Sequence, residues 1–326
     1  MPMNTSNRTE ILRTSYEKFL PFVSVVVIGG VLAVCSPYFR TWQNLSNIIR
    51  QHSQIIIMAI GMTFVIASGG IDLSIGSMMA LAGICGTFLM SVGVPIVVAV
   101  LAGCLGGLVC GLLNGLLISR LKISAFIATL GTMQVFRGLV LVITKGLPVD
   151  KGIPRSFGNL RNGNVFGVIP IPLVLILVVA VIASLILRYT RLGRYSYAIG
   201  SNAEAARHSG IRVGTYLLLI YAVSGFLTGL AGMVEFSSLV SGQPTAGEGY
   251  ELKVIAAVVI GGGSLMGGEG TVSGTIAGAL LMALLLNGCT LLRISDYVQK
   301  IVIGALIVLA VAFDQLRRRK IEGGGL

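Results

Sequence analysis

The residues that could do chemistry are few, and they are embedded in apolar sequence. Ionisable groups within or at the edge of long apolar runs are Asp72, Arg137, Glu235, Glu251 and Lys253. A proton- or ion-coupled carrier needs chains of such groups inside its spans, and this set is too sparse for a proton relay. Arg137, at the middle of its run, either lines a polar wall or snorkels and pairs internally to hold helices together, and the second reading is preferred. Asp72 reads first as an N-cap for the helix that follows, its carboxylate meeting free amide groups. No G-x-x-x-x-G-K-[S/T], H-E-x-x-H or G-x-S-x-G string occurs, so the sequence offers no phosphate cradle, zinc-protease motif or serine elbow of its own. His52 and His208 are far apart, and the five cysteines lie in or beside apolar runs without C-x-x-C spacing. They read as packing residues, with neither a disulfide framework nor a metal site. Energy for uphill work must come from an ion gradient or from another subunit.

The most informative polar segment is 188–213. Ser201 or Asn202 can cap a short helix, Glu204 falls in its first turn, and Arg207 and His208 fall near its end, as the helix dipole favours. Gly210 stands where a C′ glycine stops such a helix. A connector that builds its own capped helix suggests a docking surface.

These residues must be positioned by a membrane bundle. The chain has 326 residues, of which 55% are hydrophobic and 11% charged, against about 25% charged in a soluble domain. Forty-four glycines suit membrane helices whose backbones approach closely, and the long apolar runs lack the alternation of a transmembrane β-barrel. The predicted fold is an all-α polytopic bundle of ten transmembrane helices near 19–36, 52–69, 75–92, 95–119, 123–145, 168–188, 214–236, 251–263, 271–292 and 297–314. Residues 1–18 and 315–326 are expected to be cytoplasmic tails flanking a single transmembrane unit, 19–314. The apolar run after Lys18 is too long for a signal-peptide core and reads as a retained first span. Fourteen basic residues fall on the side of the termini and seven on the other, so both termini are expected in the cytoplasm and the net charge of +12 reflects loop bias rather than nucleic-acid binding. Trp42 suits an interfacial anchor. The run 251–263 is too short to span and suggests a re-entrant or broken segment, whose glycine-rich continuation must be buried in protein or line a wet cavity. Gly69–Gly76 and Gly261–Gly268 share the pattern G-G-x-[D/S]-L-x-x-G; coincidence between glycine-rich strings is preferred over an internal repeat.

Four segments in order carry a family resemblance: Gly61–Ile66 with Gly70–Ser77, Ala125–Leu130, Gly193–Ile211, and Gln243–Leu252. Together they resemble the ribose/xylose/arabinose-type ABC importer permeases, nearest in look to those for ribose or D-allose. The resemblance implies a non-catalytic inner-membrane subunit working as a homodimer or paired permease. A separate cytoplasmic ATPase would hold ATP-Mg and dock on Asn202, Glu204, Ala205, Ala206, Arg207 and Gly210, and a periplasmic sugar-binding protein would deliver the monosaccharide. No cofactor is expected in this chain. Segments 69–77, 243–251 and 261–268 become candidates for the pathway and outer gate, with Thr63, Ser68, Asp72, Asn114, Gln134, Gln243 and Asn287 as pathway or gate residues. Met266 and Glu269 stand where the resemblance leads one to expect small or basic residues. The alternatives are a related permease for branched-chain amino acids or a furanosyl signalling molecule, and an ion-coupled secondary carrier.

Overall fold

The computed structural model describes residues 5–322. In chain order its helices are α1 (Thr5–Cys35), α2 (Trp42–Ala67), α3 (Ile75–Ser91), α4 (Ile96–Ser119), α5 (Ala125–Thr144), α6 (Asn159–Asn162), α7 (Ile171–Tyr189), α8 (Arg191–Ser201), α9 (Ala203–His208), α10 (Val213–Ser237), α11 (Tyr250–Ile260), α12 (Val272–Leu291) and α13 (Asp296–Glu322). One two-stranded antiparallel hairpin, β1 (Asn164–Val165) with β2 (Ile169–Pro170), decorates the loop before α7.

Polar side chains in loops start several helices by accepting a free amide. Thr41 accepts from Asn44 at α2, Ser124 from Ile127 at α5, Thr190 from Gly193 at α8 and Thr271 from Gly274 at α12, each as an N-cap should. Every predicted span falls on a helix. Six of these, α2, α4, α5, α7, α10 and α12, are long and apolar enough to cross a membrane, and shorter apolar stretches occupy Phe19–Cys35, Ile75–Ser91 and Tyr297–Leu309. The helices overrun the predicted limits. Residues 5–18 continue α1, and α13 runs on to Glu322; residues 1–4 and 323–326 lie outside the described residues.

α2, α10 and α12 form the centre, with 78%, 67% and 61% of their most apolar windows buried, while α4, α5 and α7 bury 33% or less and turn apolar side chains outward. The tightest contact is α4 on α10. A Cβ on Gly107 or Gly111 would overlap the carbonyls of Gly225 and Tyr221. Small residues here let two backbones meet without an intervening side-chain layer, the packing that substitutes for hydrophobic driving force in lipid.

The loop 145–167 is more ordered than its polar sequence suggests. Arg161 is buried and pairs with Glu235 of α10 at 2.6 Å, while its guanidinium also donates to the carbonyls of Arg50 (2.9 Å) and Gln51 (3.3 Å). Arg161 thus ties the loop to the first turns of α2 and the last turns of α10, and is a structural cation rather than a free loop charge.

Candidate functional site

The loop 188–213 contains two helices where the sequence suggested one. Thr190 caps α8, and Asn202 then ends it and caps α9, its Oδ1 accepting from Ala205 N at 2.9 Å. α9 stops in a Schellman motif: Gly210 N–H donates to Arg207 O (3.0 Å), Ile211 N–H to Ala206 O (3.1 Å), and Gly210 takes φ +82. Ala206 is buried against the patch of Ile199 and Val213, and the edge-on pair Tyr195–Tyr216, at 4.6 Å, joins α8 to α10. Asn202, Glu204, Ala205, Arg207 and Gly210 are all exposed. Arg207 and Glu204 pair at 2.7 Å on the surface, where such a pair contributes little to stability. The result is a rigid, shallow platform of five of the six predicted docking residues, anchored by the sixth.

α8 links this platform to the interior. Its penultimate residue, Gly200, packs between Ala67 at the end of α2 and the turn Gly267–Gly268, and a Cβ there would overlap Ala67 O. Gly268 N–H donates to Ala67 O at 3.0 Å, and Tyr197 Oη donates to Gly270 O at 2.6 Å. Gly69 (φ +77) and Gly267 (φ +87) touch the same spot. The two glycine-rich strings that echo each other in sequence therefore meet in space against α8. Residues 69–70 and 266–268, within the segments expected to serve the pathway and outer gate, thus lie beside the platform. Arg50, near one end of α2, meets the loop before α7, whereas Ala67, at the other end, meets Gly268, so the two strings lie at the platform end of the bundle.

Two irregular segments adjoin these strings, one ahead of α3 and one ahead of α11, whose far end carries the second string. From Gly69 the chain runs without helix through Ile71, whose carbonyl accepts from Tyr221 of α10 at 3.2 Å, to α3 at Ile75. The second break precedes α11. Gly242 bridges to Val149 and packs on Ile84 and Thr87, while Gly247 packs on Gly76 and Met79, a descent along α3 of about 12 Å at 1.5 Å per residue. The second break thus reaches the first turn of α3, where Gly247 meets Gly76. Arg137, midway along α5, holds the irregular chain by donating to Pro244 O (2.5 Å) and Ala246 O (2.9 Å). This is the internal pairing preferred from sequence, with backbone rather than a carboxylate as partner. Gln134, Thr245 and Glu248 are exposed around it. A carboxylate and an amide exposed at this depth face water or protein, because lipid offers them no partner.

The other predicted pathway residues sit in closed networks. Asp72 is fully buried and its Oδ1 accepts from Ser74 N (2.9 Å) and Ser74 Oγ (2.6 Å). Asn114 Nδ2 donates to Ser74 Oγ at 2.8 Å, and Thr132 Oγ1 donates to Asn114 Oδ1 at 2.7 Å. Asp72 thus bonds an amide just ahead of α3, but Ser74 occupies the cap position. Thr63 bonds Thr275 at 2.7 Å, Asn287 and Asn44 exchange amide hydrogen bonds at 2.9 and 3.1 Å, and Ser68 Oγ donates to Val65 O at 2.7 Å. Thr63, Ser68, Asp72 and Asn114 are buried, Gln243 and Asn287 are part-buried, and Gln134 alone of the seven is exposed. The signal for Thr245 and Glu248 lay in the Gln243–Leu252 string, and Arg161 and Glu235, 74 positions apart, gave no signal as a pair. Among the described residues no three His, Cys, Asp or Glu side chains gather into a metal-binding group.

Residues 44–311 match the family described as branched-chain amino acid transport system / permease component. The chain belongs to that permease family. The match starts in α2, ends in α13, and takes in the platform and both broken crossings. Relatives within reach of this permease include the ribose import permease protein of Haemophilus influenzae, 43% identical over 296 residues that cover 90% of this chain and 91% of that one. The ribose import permease protein of Bacillus subtilis is 43% identical over 300 residues, 92% and 93% of the two chains. The D-allose transport system permease protein of Escherichia coli K12 is 38% identical over 303 residues, 92% of each. No solved structure matches the chain.

Proposed function

We propose that this chain is the membrane-spanning subunit of a bacterial ABC importer for a monosaccharide of the ribose or D-allose type. It crosses the inner membrane ten times with both termini in the cytoplasm, and a paired copy completes the pathway. The observation that carries the reading is the continuous connection from an exposed, doubly capped platform, through Gly200 and Tyr197, to the irregular segments ahead of α3 and α11, the second of which reaches the first turn of α3 where Gly247 meets Gly76. Transporters place cargo sites where interrupted helices meet near the middle of the bilayer. Relatives named for ribose and D-allose, aligned along more than nine-tenths of their lengths, support the sugar class.

In this mechanism a separate ATPase grips α9. ATP-Mg is bound and hydrolysed there, with no cofactor in this chain, and a periplasmic sugar-binding protein delivers cargo to the opposite face. Closure of the ATPase favours one conformation of the permease only because it binds that conformation better. The platform transfers the difference to the turn 264–270 and so to α11. Gln134, Gln243, Thr245 and Glu248, set around the carbonyls that Arg137 holds, offer sugar hydroxyls weak and numerous partners, and weak binding lets cargo leave. Asp72, Asn114, Thr63, Ser68 and Asn287 serve the pathway by fixing the helices that frame it.

Proteoliposomes containing the permease and its ATPase, supplied with candidate binding proteins, test this reading. Stimulation of ATP hydrolysis by ribose- or allose-loaded binding protein is expected. Stimulation by a leucine-loaded protein alone would replace the sugar with the amino-acid cargo that the family description names, and uptake that follows an ion gradient without ATP would defeat the ABC assignment.

A further inference from the structure

α7 and α10 stand side by side with scarcely any packing between them. The gap is an apolar groove of about 390 Å³, with Phe64 of α2 among its walls and Ala183 and Ala222 on its sides. All twelve lining residues are apolar, so the groove offers no partner for a polar cargo. Its length matters. Along α10 the lining runs from Leu219 to Leu230, about 16 Å at 1.5 Å per residue and thus half of a ~30 Å hydrocarbon core.

The groove ends among arginines. Ile182 lines it, and Tyr189, two turns further on the same face of α7, carries the Arg188 guanidinium 5.3 Å from its ring centre. Arg212, the N-cap residue of α10, is exposed seven positions ahead of the lining residue Leu219. α8 packs on both α7 and α10 across this end and presents the exposed Arg191. Among the described residues, none of these three arginines pairs with a carboxylate.

We infer that this groove is a binding site for an anionic phospholipid of the surrounding leaflet: one acyl chain lies between α7 and α10, and the phosphate sits on Arg188, Arg191 and Arg212. The one-leaflet length sets the acyl chain, and the unpaired positive rim sets the sign of the headgroup. Small residues at Ala183 and Ala222 keep the slot open where larger side chains would close it. In the orientation proposed above this is the cytoplasmic leaflet, and lipid binding here does not depend on the cargo or on the ATPase.

The test is native mass spectrometry of the detergent-purified chain titrated with phosphatidylglycerol or with phosphatidylcholine of the same acyl chains. One phosphatidylglycerol per chain is expected to be retained in preference to phosphatidylcholine. Arg188→Gln and Arg212→Gln, both on exposed positions that leave folding intact, should each weaken phosphatidylglycerol retention roughly fivefold, the effect of one basic residue at an anionic surface, and leave phosphatidylcholine unchanged. Ala222→Trp should remove the bound lipid of either kind. Equal retention of the two lipids by the wild-type chain, or an unchanged preference in both arginine variants, would overturn the site. So would a disulfide between Ile182→Cys residues of two copies in native membranes, which would show that protein covers the groove.

Discussion

The platform α8–α9 and the broken crossings before α3 and α11 are both short, glycine-rich and interrupted, yet they are held in opposite ways. The α9 half of the platform is local. Asn202, Ala205, Ala206, Arg207, Gly210 and Ile211 satisfy one another within ten residues, so its shape follows from nearby sequence. The breaks are distant. Ile71 O is met from Tyr221, Pro244 O and Ala246 O from Arg137, and the loop before α7 hangs on Arg161 to Glu235. The contrast teaches that backbone in water can be finished by caps, whereas irregular backbone at membrane depth must borrow side chains from other helices because lipid supplies none.

Substitutions should follow this division. The largest loss is expected at the Arg161–Glu235 clamp. Arg161→Ala leaves Glu235 without its counter-charge in a largely buried position, a change that typically removes about 3–5 kcal/mol, and thermal unfolding in detergent should register it. The double change Arg161→Met with Glu235→Leu should recover most of that loss. A smaller effect is expected at Arg137→Ala, which strips two carbonyls of their donor at about 1–3 kcal/mol for a buried unsatisfied group. Uptake should fall far more than stability, and Arg137→Lys, with one cationic centre instead of a fork, should restore only part of it. Smaller again is Asn202→Ala, with a loss of about 1 kcal/mol from α9 and reduced stimulation of the ATPase, while Asn202→Asp keeps both. Glu204→Gln removes an exposed i,i+3 pair and should move stability by less than about 0.5 kcal/mol. If Asn202→Ala proved as damaging to the fold as Arg161→Ala, the distinction between local and borrowed support would fail.

Legibility divides along the same line. The capped α9 was readable because Asn202, Glu204 and Gly210 fall within nine residues, and the long apolar helices were readable because a run of apolar residues is itself the signal. The shortness of 251–263 corresponds to α11, an 11-residue helix between irregular segments. Thr63, Asp72, Asn114 and Asn287 looked like pathway residues because a polar residue in an apolar run gives no hint of its direction; their partners Thr275, Ser74, Thr132 and Asn44 come from other turns and helices. The helix α8 was hidden because its polar face and small residues resemble a linker until Gly200 and Tyr197 are seen against 266–270. The echo of Gly69–Gly76 in Gly261–Gly268 makes physical sense once both strings are seen to need close approach to the same helix.

In the proposed mechanism movement at α9 reaches α11, and so the segment before it, through the contacts of Gly200 and Tyr197 with 267–270. The most direct measurement is the rate of thiol labelling of Thr245→Cys in the complex with its ATPase, with and without trapped ATP. A severalfold change in rate is expected on trapping, which Tyr197→Phe abolishes while ATPase binding persists. A rate indifferent to nucleotide, or one that changes equally in the Tyr197→Phe protein, would contradict it.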